Sequence, residues 1–245
     1  MQKEILVLAK SNKNGGYCVG GIELVCGDHG QKHLSNNWVR PVMVADDGAH
    51  QGCLPKQLCS GFKVFDIIKI DVVPAASILG QPENWLLQNQ KIRKVATLSQ
   101  TDVVRGLARK ADSIWSDSST WRDDQVSHAA VVAAEPQQSL TVIQPQDLIL
   151  TLEVEQESYG LRQRVFASFT HAGKSYQRIT VTDPAIKRVF RNQFPTVPGV
   201  QYQKTLHNRD RYWLTLSLSP EWMGNHYVLA AAVLDHTGYL NRNYG

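Results

Sequence analysis

The chain has 245 residues, of which 42% are apolar and 20% charged, a composition typical of a folded globular protein and unlike that of a disordered or fibrous one. Its longest apolar runs have only the length of a strand, and residues 1–4 lack the charge and cleavage pattern of a signal peptide, so we predict a cytoplasmic protein with no membrane contact. This length suits two small domains or one large all-β domain.

The charge is unevenly distributed along the chain. The formal net charge is +4, yet residues 161–211 contain ten basic side chains and only two acidic ones, together with six aromatic residues and directly followed by Tyr212 and Trp213. Arginine, lysine and aromatic side chains in one segment are typical of a surface that neutralises phosphates and stacks bases. Solvated strand faces over an aromatic core would give the same composition, so both interpretations stay open here.

Nine segments have the alternating or β-branched pattern of strands, with Gly, Asn, Asp and Pro between them. They are residues 3–9, 17–25, 38–44, 63–73, 147–155, 161–170, 174–182, 212–218 and 227–234. The clearest hairpin joins residues 161–170 to 174–182 through His171, Ala172 and Gly173, where glycine can adopt the positive φ that a short loop with a bulge requires.

Two helices interrupt the strands. The first is predicted from Ser99 or Thr101 to about Ala111. The second is predicted over residues 183–193, with Asp183 as N-cap and Pro184 at the first helical position, where the missing N–H is not needed. Its outer face would present Lys187, Arg188 and Arg191, as a phosphate contact or as a solvated surface.

We place the domain boundary within residues 126–147, which are rich in alanine, glutamine and proline. The predicted domains are residues 1–135, with an inserted helix, and residues 136–245, with the basic helix 183–193. Each combines several strands with one helix, which indicates a mainly β protein of two small barrels with a few short helices.

Catalytic and metal-binding patterns are weak. The four cysteines form no CxxC pair, and four unligated thiols are expected; a zinc site that adds His29, His33 or His50 is the alternative. Common hydrolase and deaminase motifs are absent, so we predict no cofactor and no catalytic residues. The acidic pairs Asp46–Asp47 and Asp123–Asp124, with His50 and His128, leave a metal-dependent nuclease as an alternative.

Short motifs along nearly the whole chain resemble bacterial dual OB-domain proteins. They are ILVLAKSNK at 5–13, GGYCVGG at 15–21, WVRPV at 38–42, QPENWL at 81–86, Asp183-Pro184 after residues 176–182, WLTLSL at 213–218 and YVLAAAV at 227–233. The resemblance implies two OB-like barrels that bind nucleic acid or an oligonucleotide ligand, often in bacterial systems of anti-phage defence. One departure is Tyr17, where the family often has a basic residue that could neutralise a phosphate.

The resulting hypothesis is a nucleic-acid-binding protein without catalytic activity, whose ligand is single-stranded DNA or RNA and which works with a protein partner in a multi-component system. An OB barrel presents one face and its flanking loops to the strand. The candidate contact residues are Lys10, Lys13, Trp38, Arg40, Arg162, Arg164, Arg178, Lys187, Arg188, Arg191, Arg209, Arg211 and Tyr212. For Arg40, held extended by Pro41, a buried ion pair is an equal alternative. A small-ligand (nucleotide) sensor or a protein scaffold is the alternative function.

Overall fold

The structure is a computed structural model that describes residues 1–13, 15–28, 30–44, 51–75, 78–98, 101–109, 111, 114–136, 138–206 and 212–240. Its strands fall into two sheets, one from each half of the chain. The mainly β fold class with a few short helices is confirmed. No helix among these residues combines the length and apolar character that a membrane crossing requires.

The first sheet is a closed five-stranded barrel. Its strands are β1 (Gln2–Lys13), β2 (Gly16–Cys26), β3 (Lys32–Val44), β5 (Asp66–Pro74) and β6 (Asn84–Thr97), with the short β4 (Gln51–Gly52) paired to β3. The order β2-β1-β5-β6-β3 closes through a β2–β3 pairing, and β3 runs parallel to β6. A 3₁₀ helix (Lys56–Cys59) follows β4, and helix α1 (Thr101–Ala108) follows the barrel.

The second sheet repeats this order in an open form and adds three strands. The repeated strands are β9 (Gln146–Glu157), β10 (Gly160–His171), β11 (Lys174–Val181), β12 (Gln201–Thr205) and β14 (Asn225–Asp235); the additions are β7 (Gln125–Ser127), β8 (Leu140–Ile143) and β13 (Tyr212–Leu218). Strand β11 runs parallel to β14, as β3 does to β6. Helix α2 (His128–Ala134) follows β7, and α3 (Pro184–Gln193) connects β11 to β12.

All nine predicted strands are present, and both predicted helices are confirmed. The hairpin is also confirmed, with a two-residue turn in which Ala172 and Gly173 have φ of 49° and 77°. Residues 126–147, within which we placed the domain boundary, contain part of β7, all of α2 and β8, and the start of β9. Since β7 pairs with β14, it belongs to the second sheet, whereas a boundary after residue 135 would place it in the first domain.

Strand β1 lies between the two sheets, which explains its continuous apolar run. Ile5, Leu6, Val7 and Leu8 are all fully buried, and one core cluster joins them to Trp213, Ala232 and Leu234 of the second sheet. The Thr215 hydroxyl donates to the Leu8 carbonyl at 2.6 Å, and the Asn12 N–H donates to the Thr182 carbonyl at 3.0 Å. The two barrels therefore share a core in addition to the core within the second barrel.

The glycines near residue 20 serve this close packing. A Cβ at Gly21 would lie 2.3 Å from the Leu6 carbonyl oxygen, and a Cβ at Gly20 would lie 2.7 Å from Leu140 of the second sheet. Any larger residue would separate β2 from β1 or from β8.

Candidate nucleic-acid interface

Three of the four candidates from the first half of the chain lie inside the protein. Lys10 is only 4% exposed, and its ammonium group donates to the carbonyl oxygens of Cys59 and Phe62 at 2.6 and 2.9 Å. Burial lowers the pKa of Lys10. Trp38 is buried in the shared core. Neither side chain can reach a nucleic acid, so these two assignments are wrong; Lys13, by contrast, is on the surface.

Arg40 is the third buried candidate, and its guanidinium holds the two barrels together. Its Nη2 lies 3.0 Å from Glu83 Oε1 and donates to the hydroxyl oxygens of Ser139 at 2.7 Å and Ser217 at 3.2 Å. Glu83 in turn accepts from the N–H and the hydroxyl of Ser139. Of the two alternatives for Arg40, the structure therefore has the buried ion pair, and the nucleic-acid contact is wrong.

The arginines on β10 and β11 are neutralised by carboxylates of β9. Arg162 Nη1 lies 2.8 Å from Glu157 Oε1, and Arg164 Nε lies 3.2 Å from Glu155 Oε2. Arg178 forms a bidentate pair with Glu153 and stacks over the Phe166 ring at 4.3 Å. The excess of positive charge in residues 161–211 is thus partly cancelled in space, because the acidic strand lies just upstream of that segment.

Arg164, Phe166 and Arg178 border a groove of about 450 Å³ on the face of β10 and β11. The segment before β7 forms its other wall: Trp121 is 90% exposed, and Arg122 makes a bidentate pair with Asp124 at 2.6 and 2.7 Å. The Arg122 guanidinium lies 5.9 Å from the centre of the Trp121 ring. The groove therefore offers an exposed aromatic plane beside arginines that already have carboxylate partners.

Helix α3 and strand β12 differ from the groove in the partners of their basic side chains. The helix forms where predicted: Asp183 Oδ1 accepts from Ala185 N at 2.8 Å, and Ile186, Val189 and Phe190 face the second core. This leaves Lys187 and Arg191 on the outer side. Arg191 Nε donates to Gln163 Oε1 at 2.9 Å, and Lys204 Nζ donates to Gln193 Oε1 at 3.1 Å. We call Lys187, Arg191 and Lys204, with Gln163 and Gln193, the α3–β12 surface.

Within the part of the chain that the structure describes, no carboxylate in ion-pair contact neutralises the charge of the α3–β12 surface. Among the described residues, Lys187, Arg191 and Lys204 form no ion pair. Partial burial lowers the pKa of Lys187, and the nearby positive charges of Arg191 and Arg162 lower it further, against the opposing effect of Asp183. A lysine pKa that is lowered by burial and by neighbouring positive charges indicates a surface at which a bound anion would be stabilising.

The remaining candidates lie apart from these contacts. Arg188 is exposed on α3, and Tyr212 lines a cavity of about 280 Å³ between α3 and the end of β14. Arg209 and Arg211 lie outside the described residues. The structure thus brings together Arg162, Lys187 and Arg191 of the predicted set, and separates them from Lys13.

Within the described ranges, no group of three or more His, Cys, Asp or Glu side chains is arranged to hold a metal ion. Asp124 is paired with Arg122, Asp123 accepts from Gln177 N at 2.8 Å, and His128 stacks on His226. The nuclease alternative therefore lacks a site at Asp123, Asp124 and His128. Asp46, Asp47, His29 and His50 lie outside the described residues.

Sequence reasoning missed two features of this region. Trp121 and Arg122 lie in a segment without periodicity, and no pattern there indicated a groove wall. The pairing of β9 with β10 was accessible in principle, because Glu153, Glu155 and Glu157 alternate along one strand as Arg162 and Arg164 do along the next. Because β9 and β10 are antiparallel neighbours joined by a turn, these opposite charges lie side by side.

Each half of the chain contains a five-strand unit with the same strand order, in which the third and fifth strands pair in parallel. Two such units define a protein of two OB-type barrels. A comparison with protein-family models agrees: the model described as "Dual OB-containing domain" matches residues 3–233. The chain belongs to this family, as its sequence motifs implied. Searches of curated proteins and of solved structures gave no match.

Proposed function

We propose that this chain binds single-stranded nucleic acid on its second barrel, with the phosphate backbone on the α3–β12 surface. The observation that carries the proposal is the group of three cations, Lys187, Arg191 and Lys204, without carboxylate partners among the described residues. Elsewhere on this barrel, the arginines of β10 and β11 each have such a partner. A polyanion binds most favourably where positive charge is not already neutralised.

The surface continues from helix α3 onto the OB face. Arg162 on β10 is near enough to Lys187 to influence its pKa, and Arg164 follows two residues later on the same side of the strand. A strand lying across α3 would thus reach the β10–β11 groove, which is where OB folds receive oligonucleotides. There, the exposed Trp121 ring would stack on an unpaired base, which favours a single strand over a duplex.

The test is the salt dependence of binding to labelled single-stranded oligonucleotides, measured by fluorescence anisotropy. Replacing Lys187, Arg191 and Lys204 together by glutamine removes three phosphate contacts. Because each contact with a single strand contributes about 0.7 to the slope of log affinity against log salt, the slope should decrease by about 2. Affinity at low salt should fall with it.

A matched variant replaces Lys56, Lys91 and Arg93 by glutamine. These three cations are exposed on the first barrel, so the change in net charge is the same at a different place. We expect wild-type affinity and slope for this variant. Equal losses in both triple variants would mean that binding follows net charge only, and no binding of the wild type at low salt would exclude the proposal.

A small-ligand role is the second candidate, and the cavity beside α3 is the observation that favours it. Lys204, Tyr212 and His236 contribute polar groups, while Leu150, Val189 and Phe190 supply an apolar floor. The volume of about 280 Å³ is near the lower end of small-molecule sites. Calorimetric titration with mononucleotides tests it: saturable, salt-insensitive binding that Leu150→Trp abolishes would support this role.

The cellular setting is part of the proposal as well. Cytoplasmic location, bacterial origin, a protein partner and a role in anti-phage defence come from the sequence and its family resemblance. Purification of the tagged chain from its host before and after phage challenge, with sequencing of the bound nucleic acid, tests them together. Recovery of no nucleic acid under either condition would contradict this setting.

A further inference from the structure

Two cysteines face each other where β2 meets the segment after β4. Tyr17 and Leu54 form an antiparallel bridge, with reciprocal backbone hydrogen bonds of 2.8 and 2.9 Å. Cys18 and Cys53 are the next opposing pair in this register. Because Tyr17–Leu54 exchanges both hydrogen bonds, Cys18 and Cys53 occupy the non-hydrogen-bonded kind of position, in which Cα atoms are typically about 4.5 Å apart. That separation lies at the short end of the range that disulfides span.

The two side chains also meet. A side-chain hydrogen bond links the two sulfurs, and both residues line one small cavity of about 20 Å³ with Lys13 and Arg40. Both cysteines are unpaired thiols and half-buried. The pair is therefore held in contact and is reachable by a small molecule, in contrast to a thiol sealed in the core.

The surroundings make Cys18 the more reactive of the two. The hydrogen bond from Cys53, helped by the positive charges of Arg40 and Lys13, lowers the pKa of Cys18 to about 6, although burial opposes the shift. The same hydrogen bond raises the pKa of Cys53, so that Cys53 keeps its proton. Since the thiolate is the nucleophile, Cys18 is the sulfur that would react first at neutral pH.

We propose that Cys18 and Cys53 are a peroxide-sensitive dithiol that closes to an intramolecular disulfide. The Cys18 thiolate attacks one oxygen of hydrogen peroxide, which gives a sulfenic acid at Cys18 and a hydroxide that takes up a proton to become water. Cys53 sulfur then attacks the Cys18 sulfur, the S–S bond forms, and the hydroxyl group leaves with the Cys53 proton as a second water. The two thiols lose two electrons, and the peroxide gains them.

The other two cysteines, Cys26 and Cys59, are less suited to this oxidation. Cys59 is fully buried, and burial raises its pKa to about 11, so it stays a thiol. Cys26 is exposed at the far end of β2, where Lys32 is its strand partner. Closure would join β2 to the segment that leads into the 3₁₀ helix, next to the buried Arg40 at the barrel junction.

The test is peptide mapping of the folded wild-type chain after mild hydrogen peroxide and alkylation of the remaining thiols. Trypsin alone leaves Cys18 and Cys26 on one peptide, but cleavage after Glu23 by a glutamate-specific protease separates them. We expect one cross-linked species that joins the Cys18 and Cys53 peptides and disappears on reduction. Its absence, or a bond to Cys26 or Cys59 instead, would overturn the proposal.

Variants assign the order of the two steps. Cys53→Ser should form no disulfide and should accumulate a Cys18 sulfenic acid that dimedone traps. Cys18→Ser should lose the fast phase of thiol oxidation, whereas Cys26→Ser, the matched control, should behave as the wild type. A fast reaction in Cys18→Ser would contradict the proposed order. Circular dichroism of each reduced variant establishes that the fold is retained before oxidation is compared.

Discussion

Arg40 and Glu83 form an ion pair in the junction between the two barrels, with side chains only 7% and 3% exposed. Arg40 is on β3 and Glu83 directly precedes β6, the two parallel strands of the first barrel, and Ser139 and Ser217 reach the pair from the second half of the chain. Glu83 also binds Arg40 through its backbone, because its carbonyl accepts from Arg40 N at 2.8 Å. The pair therefore couples the first barrel to the second.

We expect Arg40→Met to destabilise the protein by about 3–5 kcal/mol, because removal of one partner leaves the other charge buried and uncompensated. Urea unfolding followed by tryptophan fluorescence measures the change. Lys32→Met is the matched control: Lys32 pairs with Glu4 at 2.6 Å but is 46% exposed, so its loss should cost about 1 kcal/mol or less. Similar effects of the two substitutions would refute the structural role of Arg40.

Asp183 stabilises both an end of α3 and a neighbouring strand, and it is fully buried. Its Oδ1 caps the helix, while its Oδ2 accepts from Val233 N of β14 at 2.8 Å. We expect Asp183→Ala to cost roughly 2–4 kcal/mol, because it removes the cap and leaves a buried N–H unpaired. Urea unfolding again measures the change.

Ser127 provides the comparison for Asp183, since it caps α2 by accepting from Ala130 N at 3.2 Å and accepts from no other backbone N–H among the described residues. Ser127→Ala should therefore cost only about 1 kcal/mol, the ordinary value for a cap. If the two substitutions were equally costly, the contact with Val233 would contribute nothing to stability.

Much of the fold could be predicted from the sequence because local patterns determine it. The cap of α3 by Asp183 and Pro184, and the hairpin at Ala172-Gly173, depend on residues adjacent in sequence. β6 was missed because its outer half is almost entirely exposed and polar, and β8 because four residues carry little periodicity. Lys10 and Arg40 were misassigned because their partners, Phe62 and Glu83, lie more than forty residues away.

The hairpin turn between β10 and β11 contains a correctable strain. Ala172 has a φ of 49°. This left-handed conformation is unfavourable for a residue that has a Cβ, and asparagine tolerates it better than alanine does. We expect Ala172→Asn to stabilise the protein by about 0.5–1 kcal/mol, measured as a shift in the urea midpoint. Ala133→Asn, in the exposed part of α2, should have the opposite sign because asparagine is a poorer helix former than alanine.

Nucleic-acid affinity should depend on pH on the alkaline side of neutrality through Lys187. Burial, followed by the charges of Arg191 and Arg162, lowers the pKa of this lysine below the ordinary value of about 10.4. A bound polyanion favours the charged ammonium and raises that pKa, so binding takes up protons. Affinity is therefore highest while Lys187 is protonated in the free protein, and it falls as pH rises through the lowered pKa.

Lys187→Arg isolates this effect, because arginine keeps its charge throughout the range. Anisotropy titrations with one single-stranded oligonucleotide across the alkaline range should show a falling affinity for the wild type and a flatter profile for Lys187→Arg. Lys91→Arg, on the exposed part of β6, should retain the wild-type profile. Lys187 is half-buried on α3, whereas Lys91 is exposed on the first barrel. Identical profiles in all three proteins would place the bound strand away from α3.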